Sequence, residues 1–143
     1  MTKHNLEVIR DNERSINAMR LELEALRYKA SGVGAIRYDK DRVQVSPQDY
    51  MTMALADVLE LEKRISEQID NIEEMKGQAY IIVRKIEAPE QRAIIEWYYL
   101  NGLSMIDTAE RLNMSERSAY YLREDALKSF ESIKEEKFAD QFS

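Results

Sequence analysis

The first thirty residues of the chain carry apolar side chains that recur every seven positions. Ile9, Ile16 and Leu23 form one stripe of this repeat, and Met19 lies on a second stripe, three residues after Ile16. Two stripes at this spacing form the narrow seam of a coiled coil rather than the broad apolar face of a globular helix. The pattern therefore predicts one helix over residues 3–30 that packs lengthwise against another helix.

A second and longer helix is predicted over residues 46–87. Ser46 at the cap and Pro47 at the first helical position start it, and a heptad stripe runs from Met51 to Ile86. It spans roughly 60 Å and the first helix roughly 40 Å, so an antiparallel partner is expected to cover only about its first two-thirds. The uncovered residues are expected to pack on the C-terminal domain or to form an oligomerisation surface: Met75, Ala79, Ile82, Val83 and Ile86.

Two features of this region leave alternatives open. The connecting segment, residues 31–45, contains two of the four glycines, and its alternating residues fit either a short hairpin or an irregular loop. Gly77 lies inside the second helix and allows a bend there, since glycine costs about 1 kcal/mol relative to alanine in a helix. No site is assigned to the connecting segment.

The second proline of the chain, Pro89, marks a boundary between two domains. Proline disfavours helical geometry at the residue before it and readily starts a new helix. The chain is accordingly divided into a helical hairpin over residues 1–87 and a small domain over residues 88–143, which ends in an acidic tail after Lys134. In the helix that starts at Pro89, Trp97 and Tyr98 are expected to build the core of the small domain.

The stretch after Gly102 has the layout of two short helices joined by a tight turn. Ser104 and Ser115 each stand where a helix cap belongs. Ala109 is small enough for a second helix to cross closely, and Asn113 tolerates the left-handed conformation of a sharp turn. This layout predicts a helix-turn-helix. The predicted fold is therefore all-α, with a long antiparallel, coiled-coil-like hairpin before a small helix-turn-helix domain.

The same stretch resembles a known family. Starting at Gly102, the pattern Gly-Leu-Ser-x-x-x-x-Ala-x-x-Leu-x-x-Ser-x-x-Ser-Ala is similar to the DNA-reading region four of bacterial sigma factors. More narrowly, Arg-Ser-Ala-Tyr-Tyr-Leu-Arg resembles phage transcriptional regulators of the RinA and ArpU kind, which join a helical N-terminal part to a sigma-like C-terminal part. The resemblance covers about residues 89–130. This sequence departs from the family pattern at Thr108, where isoleucine is usual, and at Asn113, where glycine is usual.

The last helix has an inward and an outward face at about 100° per residue. The inward residues are expected to be Ala119, Leu122, Ala126, Phe130 and Ile133. Arg117 lies outward, two residues after the cap, where a groove-bound helix offers its first long side chain to a base. The residues expected at the DNA are Ser104, Glu116, Arg117, Ser118, Tyr120, Tyr121, Arg123 and Lys128.

Composition excludes several classes of function. The chain has no cysteine and one histidine, His4, so it offers no thiolate or histidine metal cluster and no nucleophile–histidine pair. No apolar run is long enough for a membrane span. We therefore expect no enzyme activity, no cofactor, no metal and no membrane association. An intracellular, reducing location fits the lack of cysteine, and the resemblance implies the cytoplasm of a bacterial host cell.

The charge of the chain sets a limit on DNA binding. The net charge is −6, and between Ser104 and Arg123 three arginines stand against three acidic residues. A strongly basic surface is the usual footprint of a nucleic-acid binder. Binding by one copy is therefore expected to be weak and to need a homo-oligomer or a second DNA-bound protein.

The predicted function is sequence-specific binding of double-stranded DNA in transcription. The resemblance implies activation of phage or prophage genes, with the N-terminal helices forming an oligomer or presenting the protein to bacterial RNA polymerase. Two alternatives stay open. One is a small terminase-like DNA recognition subunit, although that class usually carries its DNA-binding unit first. The other is an adaptor that binds RNA polymerase without itself reading DNA.

Overall fold

The fold is described from a computed structural model that covers residues 1–31 and 47–133. Within those ranges every regular element is a helix, which confirms the all-α prediction. The predicted loop, the Ser46 cap and the acidic tail after Lys134 lie outside the described residues. The helices are α1 (Lys3–Ala30), α2 (Pro47–Arg84), α3 (Pro89–Ile94), α4 (Met105–Arg111) and α5 (Glu116–Ser132), and a π-helical segment over Ile95–Leu100 continues α3.

The chain forms two compact units. Residues Ser15–Asn71 make up one, here called the two-helix unit. The other, here called the composite unit, combines Met1–Arg14 with the chain from Ile72 onward. The domain boundary after residue 87 stays a prediction. The composite unit nevertheless contains residues from both predicted domains, because the first turns of α1 are part of its core.

In the two-helix unit, α1 and α2 run antiparallel. Arg27 of α1 bonds to Glu62 of α2 at 3.0 Å, and Ser15 bonds to Gln68 at 3.5 Å, so rising residue numbers on one helix meet falling numbers on the other. Apolar residues of the predicted seam fill the space between the helices. They are Ile16 and Leu23 on α1 with Val58, Leu61 and Ile65 on α2.

The end of α2 packs on the C-terminal helices, as one of the two expected outcomes had it, since Val83 shares a core with Ile94 and Phe130. The composite unit corrects the expectation that α1 leaves this end uncovered. Lys76 and Glu13 form an ion pair at 2.9 Å, and Leu6 and Ile9 lie in the same core as Ala79. The expectation assumed that the two helices meet at the loop, but the first turns of α1 reach the C-terminal turns of α2. Of the residues expected to be uncovered, Met75 is half-buried and the other four are buried: Ala79, Ile82, Val83 and Ile86. Their role in oligomerisation stays a prediction.

The junction between α2 and α3 is held by one arginine. Helix α2 continues through Gly77 and ends at Arg84, before the predicted end at residue 87. The guanidinium of Arg92 then donates to the backbone carbonyl oxygens of Ile86 and Glu87, at 2.6 and 3.0 Å. Both carbonyls lie beyond the end of α2 at Arg84, where the hydrogen bonds of that helix do not reach. Arg92 therefore fixes the angle at which α3 leaves the junction.

The π-helical segment overturns the expectation that Trp97 and Tyr98 form the core. A regular α-helix returns to the same face after three or four residues, which would turn both aromatics inward below Ile94. The π-helical turn is wider, and its Asn101 amide donates to the carbonyl of Glu96 five residues back. The inward positions shift accordingly. The buried residues are Ile94, Ile95, Tyr99 and Leu100, whereas Trp97 and Tyr98 are half-buried.

Replacing each of two glycines by alanine should change stability in opposite directions. Gly102 has a φ of +71°, and an added Cβ would meet the Cβ of Glu13 at 3.2 Å, so Gly102→Ala should destabilise the protein by about 1–3 kcal/mol. Gly77 lies in mid-helix with no atom within 4 Å of an added Cβ, so Gly77→Ala should stabilise it by about 0.5–1 kcal/mol. Urea unfolding of both variants checks this pair, and equal midpoints would contradict it.

Candidate nucleic-acid interface

Helix α4 begins at a well-formed cap. The hydroxyl oxygen of Ser104 accepts a hydrogen bond from the backbone N–H of Asp107 at 3.1 Å, as predicted from its position. Thr108, four residues after the cap, is fully buried. Its hydroxyl donates to the carbonyl of Ser104 at 2.8 Å, so the polar atom is satisfied without leaving the core. This explains how threonine fits where the family usually has isoleucine.

The turn between α4 and α5 depends on Asn113. This residue has a φ of +53°, in the left-handed region that the sequence predicted for it. The amide of Met114 donates to the carbonyl of Ala109 at 3.0 Å, and the amide of Asn113 donates to the carbonyl of Glu110 at 3.1 Å. Two such bonds around one left-handed residue form a Schellman motif. Asparagine therefore performs the task that glycine has in the family pattern.

Helix α5 starts at a second cap, where the hydroxyl oxygen of Ser115 accepts from the backbone N–H of Ser118 at 3.0 Å. Its inward face differs slightly from the prediction. Ala119, Ala126 and Phe130 are buried as expected, but Leu122 and Ile133 are only half-buried, and Leu127, which was not predicted, is buried. The buried face of α5, which packs against both α3 and α4, is therefore centred nearer to Leu127 than predicted.

The N-terminal half of α5 exposes a group of long side chains. Arg117 is exposed, Tyr120 is 51% exposed and Tyr121 is 57% exposed. The rings of the two tyrosines meet edge to face at 6.1 Å, and the guanidinium of Arg117 lies 5.9 Å from the centre of the Tyr121 ring. Arginine and aromatic side chains therefore occur together on the outward face of this helix.

The other predicted site residues differ in exposure and in role. Ser104 is half-buried and acts as a cap, and the hydroxyl of Ser118 lies 2.9 Å from the Ser115 hydroxyl, which also makes a cap bond. Glu116 and Lys128 are exposed at opposite ends of α5. Arg123 has a side chain that is only 16% exposed. The structure thus brings Arg117, Tyr120 and Tyr121 together and places Arg123 against the Tyr120 ring. Ser104 and Lys128 lie away from this group.

Arg123 belongs to a group of aromatic and guanidinium side chains that the sequence did not indicate. Its guanidinium lies over the rings of Tyr98 and Tyr120, at 5.0 and 4.8 Å from their centres. Arg10 of α1 lies over the same Tyr98 ring at 4.0 Å. Burial lowers the pKa of Arg10 from its usual value, and burial raises the pKa of the adjacent Tyr99 to about 12.

A second arginine–aromatic contact lies beside the turn. The guanidinium of Arg111, the last residue of α4, is 4.5 Å from the centre of the Trp97 ring. Arg111 is exposed and Trp97 is half-buried, so the contact is open to solvent. The heptad and cap patterns gave no signal for the contacts to Tyr98 and Trp97, because the arginines that meet these rings lie far from them in the sequence.

Two properties of the described residues bear on other kinds of function. Residues 1–31 and 47–133 contain no group of three or more histidine, cysteine, aspartate or glutamate side chains that could hold a metal ion. Within the same part of the chain, no helix is both long enough and apolar enough to cross a membrane.

Two capped helices, a left-handed turn and an exposed second helix define a helix-turn-helix domain. Residues 88–130 match the family model described as Sigma-70, region 4, which confirms the resemblance to sigma region four. That region is a DNA-binding regulatory domain and not a catalytic one. The further resemblance to RinA-like and ArpU-like phage regulators stays a prediction. No curated protein and no solved structure matches the chain.

Proposed function

We propose that this protein regulates transcription by binding a specific sequence in double-stranded DNA. Helix α5 would enter the major groove, with its N-terminal half against the base edges. The observation that carries this proposal is the exposed group of Arg117, Tyr120 and Tyr121 directly after the Ser115 cap. A capped helix holds these side chains at fixed spacing, which base reading requires.

Arg117 is the residue proposed to read a base. A guanidinium can donate two hydrogen bonds to the O6 and N7 acceptors of guanine, and this pairing is the commonest specific contact in the major groove. Tyr120 and Tyr121 offer ring surface to a thymine methyl group. Lys128 lies farther along the same helix and is proposed to contact a phosphate, which would strengthen binding without selecting a sequence.

The biological setting of this proposal rests on the family resemblance. It implies a regulator, most simply an activator, of phage or prophage genes that works beside RNA polymerase in the bacterial cytoplasm. Self-association stays a prediction. Between Ser104 and Arg123 the chain has no excess of positive charge, so one copy is expected to bind DNA weakly. Two linked copies would double the number of phosphate contacts, which supports self-association.

Selection of a binding site from random DNA, followed by two substitutions, tests the proposal. Arg117→Ala should weaken binding to the selected site by about 1–3 kcal/mol and relax the preference at one base position, because it removes a base contact. Lys128→Ala should weaken binding to selected and scrambled DNA alike and reduce the slope of log affinity against log salt by about one. Titrations at several salt concentrations measure both effects.

Two results would count against this proposal. Equal losses on selected and scrambled DNA would reduce Arg117 to an electrostatic contact. If the wild-type protein bound no DNA even at low salt, the DNA-reading function would be rejected.

The surface of α4 favours one alternative, an adaptor that binds RNA polymerase without itself reading DNA. Ile106 is 64% exposed, and the exposed Asp107 and Glu110 lie beside it. An exposed apolar residue with acidic neighbours suits a basic protein partner better than a phosphate backbone. Binding to polymerase that is lost in Ile106→Asp and kept in Arg117→Ala would favour this alternative.

A further inference from the structure

Four side chains of the composite unit form a continuous group, here called the Arg–Tyr cluster: Arg10, Tyr98, Arg123 and Tyr120. The guanidinium of Arg10 lies 4.0 Å from the centre of the Tyr98 ring, and that of Arg123 lies 5.0 Å from the same ring. Arg123 also lies 4.8 Å from the Tyr120 ring. The cluster therefore connects α1 to Tyr120, one of the two exposed tyrosines of α5.

The hydrogen bonds of Arg10 and Arg123 do not use every N–H of the two guanidinium groups. The neighbouring aromatic rings are therefore important contacts of these groups. Arg10 donates through Nη2 to the carbonyl of Leu103 at 3.1 Å, which anchors it to the loop before α4. The Nε atoms of Arg10 and Arg123 are buried and have no hydrogen-bond partner among the described residues. Arg123 makes an ion pair of 3.5 Å with the more exposed Glu124. Because cation–π attraction is stronger where water is excluded, the rings contribute to holding both arginines.

The cleft beside the cluster does not resemble a site for a small anion. It has a volume of about 280 Å³, and Lys3, Arg10 and Arg123 line it together with Glu7 and Asp11. The two carboxylates would repel an anion that the three cationic groups attract. The arrangement is better suited to holding side chains than to binding a ligand.

We propose that Arg10 is a positioning residue that sets the orientation of the Tyr120 ring through Tyr98 and Arg123. This inference rests on the proposed DNA-binding function. Tyr120 is 51% exposed, so its ring contacts Arg123 and Tyr121 and still has an open part that can contact a base. A ring held at one angle selects where a thymine methyl group can meet it. The N-terminal helix, outside residues 88–130, would thereby contribute to base preference.

The first test uses the free protein and does not depend on DNA. In Arg10→Ala, the NMR signals of the Arg123 Nε–H group and of the Tyr120 ring should shift, because the guanidinium that faces Tyr98 is removed. Tyr98→Leu should shift them in the same way, whereas Tyr98→Phe, which keeps the ring, should not. Arg14→Ala is the matched control, since Arg14 donates to the neighbouring carbonyl of Gly102 at 3.5 Å and belongs to no part of the cluster. Unmoved signals in Arg10→Ala would overturn the coupling.

The second test measures base preference. Arg10→Ala and Tyr98→Leu should each lower the ratio of affinities for selected and scrambled DNA by about threefold to tenfold, with an unchanged salt slope. Tyr98→Phe should keep the wild-type ratio, because it keeps the aromatic ring. A merely structural role for Arg10 would not require this difference between Tyr98→Leu and Tyr98→Phe. An unchanged ratio alongside shifted NMR signals would overturn the positioning role. If the wild type bound no DNA, the proposed function and the effect on base preference would both fail, while the NMR test would still decide the coupling.

Discussion

An Ile9→Asp substitution should unfold the helix-turn-helix even though Ile9 lies far outside residues 88–130. The side chain is fully buried in the core of the composite unit, together with Ala79, Val83 and Ile94. A carboxylate at this position has no partner, and burying an unpaired charge costs several kcal/mol. We expect a loss of about 3 kcal/mol or more, which is a large part of the stability of a typical domain.

The change should be visible in α5 itself. Hydrogen exchange of its backbone amides should become faster in Ile9→Asp, and the thermal midpoint should fall. The matched control is Leu21→Asp on the same helix, because Leu21 is 69% exposed and its replacement should change stability by no more than about 0.5 kcal/mol. Full protection of α5 in Ile9→Asp would mean that the helix-turn-helix folds without the first turns of α1.

A series of aspartate substitutions along α5 should destabilise the protein in the order of burial. Ala126→Asp should cost about 3 kcal/mol or more, because Ala126 is fully buried between α5 and its neighbours. Leu122→Asp should cost about 1–2 kcal/mol, since Leu122 is half-buried and its carboxylate can reach water. Tyr121→Asp, at a position that is 57% exposed, should stay within about 1 kcal/mol of the wild type.

Urea unfolding followed by circular dichroism measures this order. The sequence alone placed Leu122 on the inward face beside Ala126, and would therefore predict two similar losses. A loss for Leu122→Asp as large as that for Ala126→Asp would support the orientation of α5 that the sequence predicts. It would contradict the rotation toward Leu127 that the structure shows.

Local features of the candidate site could be predicted from the sequence. The caps at Ser104 and Ser115 and the left-handed Asn113 were assigned correctly, and α1 has the predicted bounds. A cap bond joins residues three positions apart, and the turn motif closes within six. Their geometry therefore depends on residue types that lie next to one another in the chain. The exposure of Arg117 follows from the same local periodicity.

The core of the helix that starts at Pro89 could not be predicted in this way. A period of 3.6 residues pointed to Trp97 and Tyr98, but the π-helical turn buries Tyr99 and Leu100 instead. Nothing in the sequence of that helix indicates a wider turn. The wider turn is stabilised by its packing against α4 and α5 and by the hydrogen bond from the Asn101 N–H to the Glu96 carbonyl. These interactions exist only in the folded domain.

The sequence by itself determined which segments are helical, where the turn lies and which residues begin α5, because these properties depend on near neighbours and on apolar periodicity. The tertiary structure alone decided which part of α2 the first helix covers. It also decided that Arg10 and Arg123 both meet Tyr98. The physical reason is distance along the chain. Contacts between residues so far apart depend on how whole helices pack, and that packing has no counterpart in local sequence.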